Sequence, residues 1–161
     1  MKLTTTRKAT RRLDAQGIDS FRRHQLREYK RLHHKLGWTT LEAWRAATIN
    51  ALFQAAEDDE LVMLQIDPDE SADLENLEGD SYSPECNPDI KPEILRKERD
   101  HFLWRINNDG VWGMVGKVKC RHCDNWETVD SVWGFVGDDW KDSVYDTDIK
   151  LACLQRIGWV Q

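Results

Sequence analysis

From Ile18 to Leu36 the apolar residues Ile18, Phe21, Leu26, Tyr29, Leu32 and Leu36 gather on one side of the chain when each residue is turned by about 100°. Arg23, Arg27, Lys30, Arg31, His34 and Lys35 fall on the other side. The pattern predicts an amphipathic helix that stops at Gly37, where a helix C′ glycine belongs. Thr39 followed by Glu42 has the form of a capping box, so a second helix is expected to start there. Leu41, Trp44, Thr48, Ala51, Leu52 and Ala55 make its expected buried stripe. Glu57-Asp58-Asp59-Glu60 opposes the helix dipole, which places the end of the helix by about residue 57.

Leu61 to Ile66 reads as a short strand, after which the chain changes character. Between Glu57 and Ile90 there are thirteen Asp/Glu and no Lys or Arg, with Pro68, Pro84 and Pro88 interspersed. Like charges repel and few side chains are available to bury, so this stretch is expected to be a mobile, solvated connector. Pro92 suits the first turn of a third helix. Ile94, Leu95, Phe102, Leu103 and Ile106 carry its partial periodicity up to Asn107-Asn108-Asp109-Gly110.

The last third contains a duplication. Asp109-Gly110-Val111-Trp112-Gly113-Met114-Val115-Gly116 recurs as Asp130-Ser131-Val132-Trp133-Gly134-Phe135-Val136-Gly137, sharing the pattern D-x-V-W-G-[MF]-V-G. Between the copies lies Cys120-Arg121-His122-Cys123-Asp124-Asn125-Trp126. The two copies are expected to be antiparallel strands joined by this turn, in a register where paired residue numbers sum to 247. Trp112 then faces Phe135, Met114 faces Trp133, Lys117 faces Asp130 and Gly113 faces Gly134. Paired glycines leave a bare patch that another group can approach closely. A final helix is expected with Asp146 as N-cap, Asp148 in its first turn, and Ile149, Ala152, Cys153 and Ile157 facing inward.

These elements define an α+β fold: an N-terminal helical hairpin, an acidic connector, and a C-terminal antiparallel β-hairpin or sheet with flanking helices. The expected organisation is a basic helical hairpin over 1–56, an acidic connector with a short strand over 57–91, and a Trp-rich α+β unit over 92–161.

Composition sharpens this picture mainly through charge. The 161 residues carry a net charge of -6, but its distribution is uneven. Residues 1–56 hold twelve Lys/Arg against four Asp/Glu, residues 57–100 four against sixteen, and residues 101–161 seven against nine. Such asymmetry points to a basic arm with a partner of its own and an acidic segment that repels nucleic acid. The longest strictly apolar run, Leu61-Val62-Met63-Leu64, is far shorter than the roughly 20 residues that span a bilayer. The first residues, Met1-Lys2-Leu3-Thr4-Thr5-Thr6, lack the apolar region of a secretory signal, so a soluble cytoplasmic protein without membrane contact is expected.

Candidate chemistry is sparse. Two helices joined by a short turn invite a helix-turn-helix reading, in which Arg23, Arg27, Lys30, Arg31 and Lys35 follow a phosphate backbone. In such motifs the second helix reads bases, yet residues 40–56 carry only Arg45 as a basic residue. A solvated face or an internal partner for the acidic block explains the same charges, and the acidic block can itself imitate nucleic-acid phosphates. Cys120 and Cys123 have the spacing of half a zinc site, with Cys86, His101, His122 and Cys153 too scattered to complete it from spacing alone. A redox pair and a plain reduced turn are the other readings of the same two cysteines. The run Gly137 to Asp148 has five aspartates, but its spacing departs from an EF-hand loop. No G-x-S-x-G, Walker-type loop, H-E-x-x-H or G-x-G-x-x-G occurs, so no enzyme is expected.

Eight of the fifteen aromatic residues are tryptophan, a side chain enriched at energetically dominant interface positions. Trp44, Trp112 and Trp133 are expected in the core. Trp126, Trp140 and Trp159, with Asp138, Asp139 and Asp142, are the expected partner-binding residues. The expected function is that of a small non-catalytic binding or regulatory protein acting by protein–protein contact, as an inhibitor or acidic decoy. The alternative is a nucleic-acid-binding regulator that uses the basic hairpin, with zinc on the Cys turn.

Overall fold

The structure, a computed structural model, describes residues 5, 9, 11–13 and 18–161, apart from the side chain of Asp142. It has the α+β class expected. Helix α1 (Ile18–Lys30) runs on into one π-helical turn, Arg31–Lys35, and the segment ends at Leu36. Gly37 follows with φ 73°, the left-handed conformation a C′ glycine supplies. Within this segment only Leu32 is fully buried, while Ile18, Leu26 and Leu36 stay partly exposed. Tyr29 instead stacks on Trp44, with ring centroids 4.3 Å apart.

Helix α2 (Thr40–Asp58) starts with the expected capping box. The Thr39 hydroxyl oxygen accepts from the Glu42 N–H, and the Thr39 N–H donates to the Glu42 carboxylate at 3.3 Å. The acidic C-terminus is relieved by neighbours: Gln54 Nε2 donates to the carboxylates of Glu57 and Asp58, and Arg12 pairs with Asp59. The buried stripe differs from expectation. Leu41 is 80% exposed, and the covered residues include Ala43, Ala46, Ala47, Ile49, Leu52, Phe53 and Ala56. Helix α2 packs against both α1 and the last helix, so its small alanines are covered on more than one side. Of the expected stripe, Ala51 and Leu52 are buried and Thr48 and Ala55 half-buried, so the stripe fails only at its N-terminal end, at Leu41 and Trp44.

Strand β1 spans Val62–Pro68, two residues beyond the expected end. The acidic connector then has defined local structure rather than none. Asp73 caps a short helix α3 (Leu74–Glu78), and Asn87 Nδ2 donates to the carbonyls of Asp80, Ser81 and Ser83. Short polar side chains that bond nearby backbone are what stabilise such turns. Helix α4 (Pro92–Asp109) has Pro92 in its first turn as expected, and Arg99 holds Glu78 with Nη2–Oε2 at 3.0 Å.

Strands β2 (Val111–Lys119) and β3 (Trp126–Val136) form the expected hairpin, in a three-stranded sheet ordered β1-β2-β3. Strand β1 runs antiparallel to β2, since Lys119 N–H donates to Leu61 C=O and Asp69 N–H to Val111 C=O. The β2–β3 register matches 247 at the open end, where Gly137 N–H donates to Gly110 C=O. At the turn, Cys120 N–H donates to Asn125 C=O, so β3 carries two more residues than β2 between these bonds. A bulged strand of this kind breaks a uniform pairing. Two local signs mark it: Gly134 has φ 92°, and the Ser131 N–H donates to the Asp130 carboxylate. Lys117 accordingly pairs with Gln65 at 2.5 Å rather than with Asp130.

The last helix, α5 (Val144–Arg156), begins before Asp146, which therefore sits in the first turn and not at the cap. Asp146 is buried; burial pushes its carboxyl pKa up, while Lys150 Nζ at 2.7 Å opposes that shift and also reaches Asn50 at 3.1 Å. Ile149 and Cys153 are fully buried, as expected.

The chain forms two compact units, each assembled from discontinuous stretches. The first contains Met1–Gln65, Val115–Ser131 and Val144–Gln161, and the second Ile66–Met114 and Val132–Ser143. The core of the first includes Ile49, Leu52, Phe53, Val62, Val118, Leu154 and Trp159. Full burial of such a side chain contributes about 1.5–3 kcal/mol. Among the described residues no helix is long and apolar enough to cross a membrane.

Two glycines of β2 are close-packing sites. A Cβ at Gly116 would meet Ile149 Cγ2 at 2.5 Å and Cys153 Sγ at 2.8 Å, both on a buried helix face. A Cβ at Gly113 would meet the Trp133 ring at 2.1 Å, but that ring is 46% exposed and has room to swing outward. Gly116→Ala is expected to lower unfolding free energy by about 1–3 kcal/mol, with Gly113→Ala costing less. Denaturant midpoints of the two variants check this order, and equal midpoints contradict it.

Candidate functional site

In the second unit a cleft of about 490 Å³ is lined by Ile66, Asp109, Trp112, Gly137, Asp138 and Trp140. Asp109 ends α4, Trp112 is the second residue of β2, and Gly137 to Trp140 follow β3 into a 3-10 turn, Asp139–Asp142. The D-x-V-W spacing lets the Trp112 indole turn back, so that its Nε1–H donates to the Asp109 carbonyl at 2.8 Å. Gly137 permits the close approach of the next wall. A Cβ there would stand 3.0 Å from Asp109 Cβ.

One guanidinium fastens these pieces together. Arg105 Nη2 donates to the Val136 carbonyl at 2.9 Å and to Asp139 Oδ1 at 2.8 Å, and Nε lies 3.8 Å from Asp109 Oδ2. The hydrogen bond to Asp139 raises the Arg105 pKa above its ordinary value. Lys141 Nζ bonds Asp138 at 2.9 Å, which holds that carboxyl below the usual aspartate range. The same ammonium lies 5.6 Å from the centroid of the Trp140 ring, so the indole face already accepts a cation.

The described lining offers two indoles and two carboxylates and no Lys or Arg, but Arg105 and Lys141 stand beside those carboxylates from outside it, so a basic ligand has to compete with or displace them. Apolar walls with negative charge at the rim suit a cationic group on an apolar stem, the chemistry of a lysine or arginine side chain. A second cavity, of about 410 Å³ in the first unit, mixes Glu42 and Asp148 with Arg45 and has no such bias.

Of the residues expected at a partner-binding site, Asp138 and Trp140 line the cleft. Asp139 supports it through Arg105, and the side chain of Asp142 lies outside the described residues. Trp126 is 39% exposed, at the start of β3 in the first unit. Trp159 corrects the expectation. It is 1% exposed, because the chain turns at Gly158 and the Trp159 N–H donates to the Leu154 carbonyl, which folds the indole into the first core. Trp133 and Trp44 are partly exposed instead of buried.

Arg105, Asp109 and Trp112 were not expected at a site. The signal was present in the duplicated motif, whose first copy places an aspartate three residues before a tryptophan. Assignment of Trp112 to the core hid it. On α1 and the π-helical turn that continues it, Arg23, Arg27, Lys30 and Lys35 are exposed, and Arg27 and Arg31 both pair with Glu28.

Cys120 and Cys123 sit in the β2–β3 turn, and all four cysteines are free thiols. Among the described residues no group of three or more His, Cys, Asp or Glu side chains is placed to hold a metal ion. That includes the aspartates of the Gly137 to Asp148 run whose side chains are described. Comparison of the chain with protein-family models, with curated proteins and with solved structures finds no match.

Hydrogen bonds to a charged group contribute about 1.5–3 kcal/mol, less where solvent screens them. Arg105→Gln is expected to cost about 1–2 kcal/mol and to speed amide hydrogen exchange in residues 137–142 while leaving the first core protected. Unchanged exchange in that stretch would remove Arg105 as the fastener of the cleft.

Proposed function

We propose that the chain is a small non-catalytic binding protein that acts by protein–protein contact, taking a basic segment of its partner into the Trp112–Trp140 cleft. The observation that carries this reading is the pairing of two indoles with Asp109 and Asp138 around one opening. A lysine or arginine side chain lays its stem on the indoles and its charge against the carboxylates. Each cation–π contact is worth about 0.5–2 kcal/mol, and each exposed ion pair about 0–1 kcal/mol. Affinity therefore depends on the indoles more than on the charges. Occupying a basic surface that a partner uses for nucleic acid is how such a protein acts as an inhibitor or acidic decoy.

The second reading, a nucleic-acid-binding regulator, is favoured by one observation: Arg23, Arg27, Lys30 and Lys35 remain exposed along α1 and its π-helical turn. The two readings separate cleanly by experiment. In titrations with a lysine- and arginine-rich peptide, Trp112→Ala and Trp140→Ala are each expected to weaken binding about 5–30-fold, equivalent to about 1–2 kcal/mol. Charge reversal at Arg23, Arg27 and Arg31 is expected to leave that peptide affinity unchanged or to strengthen it slightly. Salt-dependent binding to generic DNA or RNA, lost on the same charge reversal and untouched by Trp140→Ala, supports the second reading and contradicts the first.

A further inference from the structure

The cavity of about 410 Å³ in the first unit opens between the start of α2 and the start of α5. Small-molecule sites occupy about 300–1,000 Å³, so this one is large enough for a ligand of modest size. One wall is Trp38, whose backbone is fixed on both sides. Its N–H donates to the Leu32 carbonyl at 3.1 Å, and its own carbonyl lies 2.7 Å from His33 Nδ1. The half-buried Trp38 also packs against the small cluster of Leu32, Ala43 and Ala46. Buried Ala46 and exposed Val144 complete the apolar part of the lining.

The charges around this cavity are unevenly satisfied. Glu42 is already engaged in the capping box, where its Oε2 accepts from the Thr39 N–H at 3.3 Å and from the Thr39 hydroxyl at 2.6 Å. Arg45 and Asp148 are not engaged. Both are exposed, and among the described residues neither makes a hydrogen bond, an ion pair or a ring contact, with the other or with any third group. One cavity is therefore lined by a guanidinium and a carboxylate that stand too far apart to pair, with an indole between the same walls.

We propose that this cavity binds a free α-amino acid with an apolar side chain, its carboxylate on Arg45, its ammonium on Asp148 and its side chain against Trp38. The two unpaired charges select a zwitterion. A simple anion drawn to Arg45 brings a second negative charge near Asp148, and a simple cation drawn to Asp148 brings a second positive charge near Arg45, so each is penalised by the residue it does not use. A ligand that carries both signs on one carbon answers both. The planar fork of a guanidinium matches a carboxylate, and an ammonium has only donors to offer, which a carboxylate accepts. The indole face and the methyl groups of Ala46 and Val144 then take an apolar side chain. A residue inside a peptide chain has neither free charge and lacks both anchors. This site is thus distinct in chemistry from the Trp112–Trp140 cleft of the second unit, and its failure leaves the reading of that cleft untouched.

The test is a titration of the isotope-labelled full chain with L-phenylalanine and with L-leucine, followed by NMR. Shifts are expected at the Trp38 indole N–H and at backbone amides within 37–46 and 144–148, with a dissociation constant of about 1 mM or tighter for at least one of the two. The amide of that amino acid lacks the carboxylate and its N-acetyl derivative lacks the ammonium, and each is expected to bind about 5–30-fold more weakly. Arg45→Gln is expected to weaken the free amino acid by a similar factor and to leave the affinity of the amide unchanged, because the group that Arg45 holds is then already missing. Asp148→Asn is expected to do the same for the N-acetyl derivative. Both side chains are exposed and unpaired, so these substitutions test binding and not folding. Absence of shifts in those stretches up to about 20 mM of either amino acid would overturn the proposal. So would an amide or N-acetyl derivative that binds as tightly as the free amino acid, affinity unchanged in both variants, or shifts confined to 109–112 and 137–140.

Discussion

The fold depends on how closely other groups approach the central strand. Strand β2 has a neighbour on each edge, so its backbone bonds are taken up within the sheet and its faces need cover. Gly116 provides this in the first unit by letting Ile149 and Cys153 of α5 come within the space a Cβ would fill. Gly113 does the same in the second unit for the Trp133 ring. A side chain at Gly116 would hold α5 away and open a gap in the buried core, which close packing tolerates poorly, whereas one at Gly113 would displace the partly exposed Trp133 ring. The D-x-V-W-G-[MF]-V-G motif is therefore a packing device before it is anything else. The same motif sets Asp109 and Trp112 at the cleft, so covering the strand and building the site draw on one short sequence.

Elements with local signatures were legible from the residues. The Thr39/Glu42 capping box, the Gly37 stop, Pro92 in the first turn of α4 and the hairpin around the Cys turn all depend on neighbours a few positions away. Features set by tertiary context were not. Helix α2 has two packing partners and is covered largely through alanines, so one stripe finds Ala51 and Leu52 but misses Ala43, Ala46, Ala47, Ile49, Phe53 and Ala56 and wrongly includes Leu41 and Trp44. The 247 register assumed uniform pairing, whereas Gly134 and Asp130 mark a bulge that periodicity does not register. Trp159 looked accessible because it lies near a terminus, but one turn at Gly158 is enough to bury it.

The candidate site was half legible for a related reason. Asp138, Asp139 and Trp140 announce themselves as polar and aromatic residues in a loop, where binding groups concentrate. Arg105 lies on a helix thirty-four positions before Asp139, and its role exists only once α4 and that loop meet. This division of labour has a physical basis. Loops supply the contact groups, while a cation on a regular element fixes them in place by bonding a carbonyl and a carboxylate together.

The segregation of charge along the chain has a parallel explanation in local pairing. Within the basic segment Arg27 and Arg31 turn to Glu28 on their own helix, and Arg12 meets Asp59 at the end of α2. Within the acidic stretch Glu78 is taken by Arg99, and Asp73 and Asn87 are used up in capping and turn bonds. What these contacts satisfy is the immediate geometry, not the excess of one sign. Surface pairs of this kind contribute little to stability, so selecting them does not require the blocks to be balanced. The excess remains as a field over each surface, and fields govern encounter with charged partners more than they govern folding. Under the proposed function, a cleft with carboxylates at its rim would gain from that negative field, because a basic segment would be drawn toward it before the indoles made contact. Steering and holding would then be separate tasks in that proposal, the first carried by charge that need not touch the ligand and the second by Trp112 and Trp140.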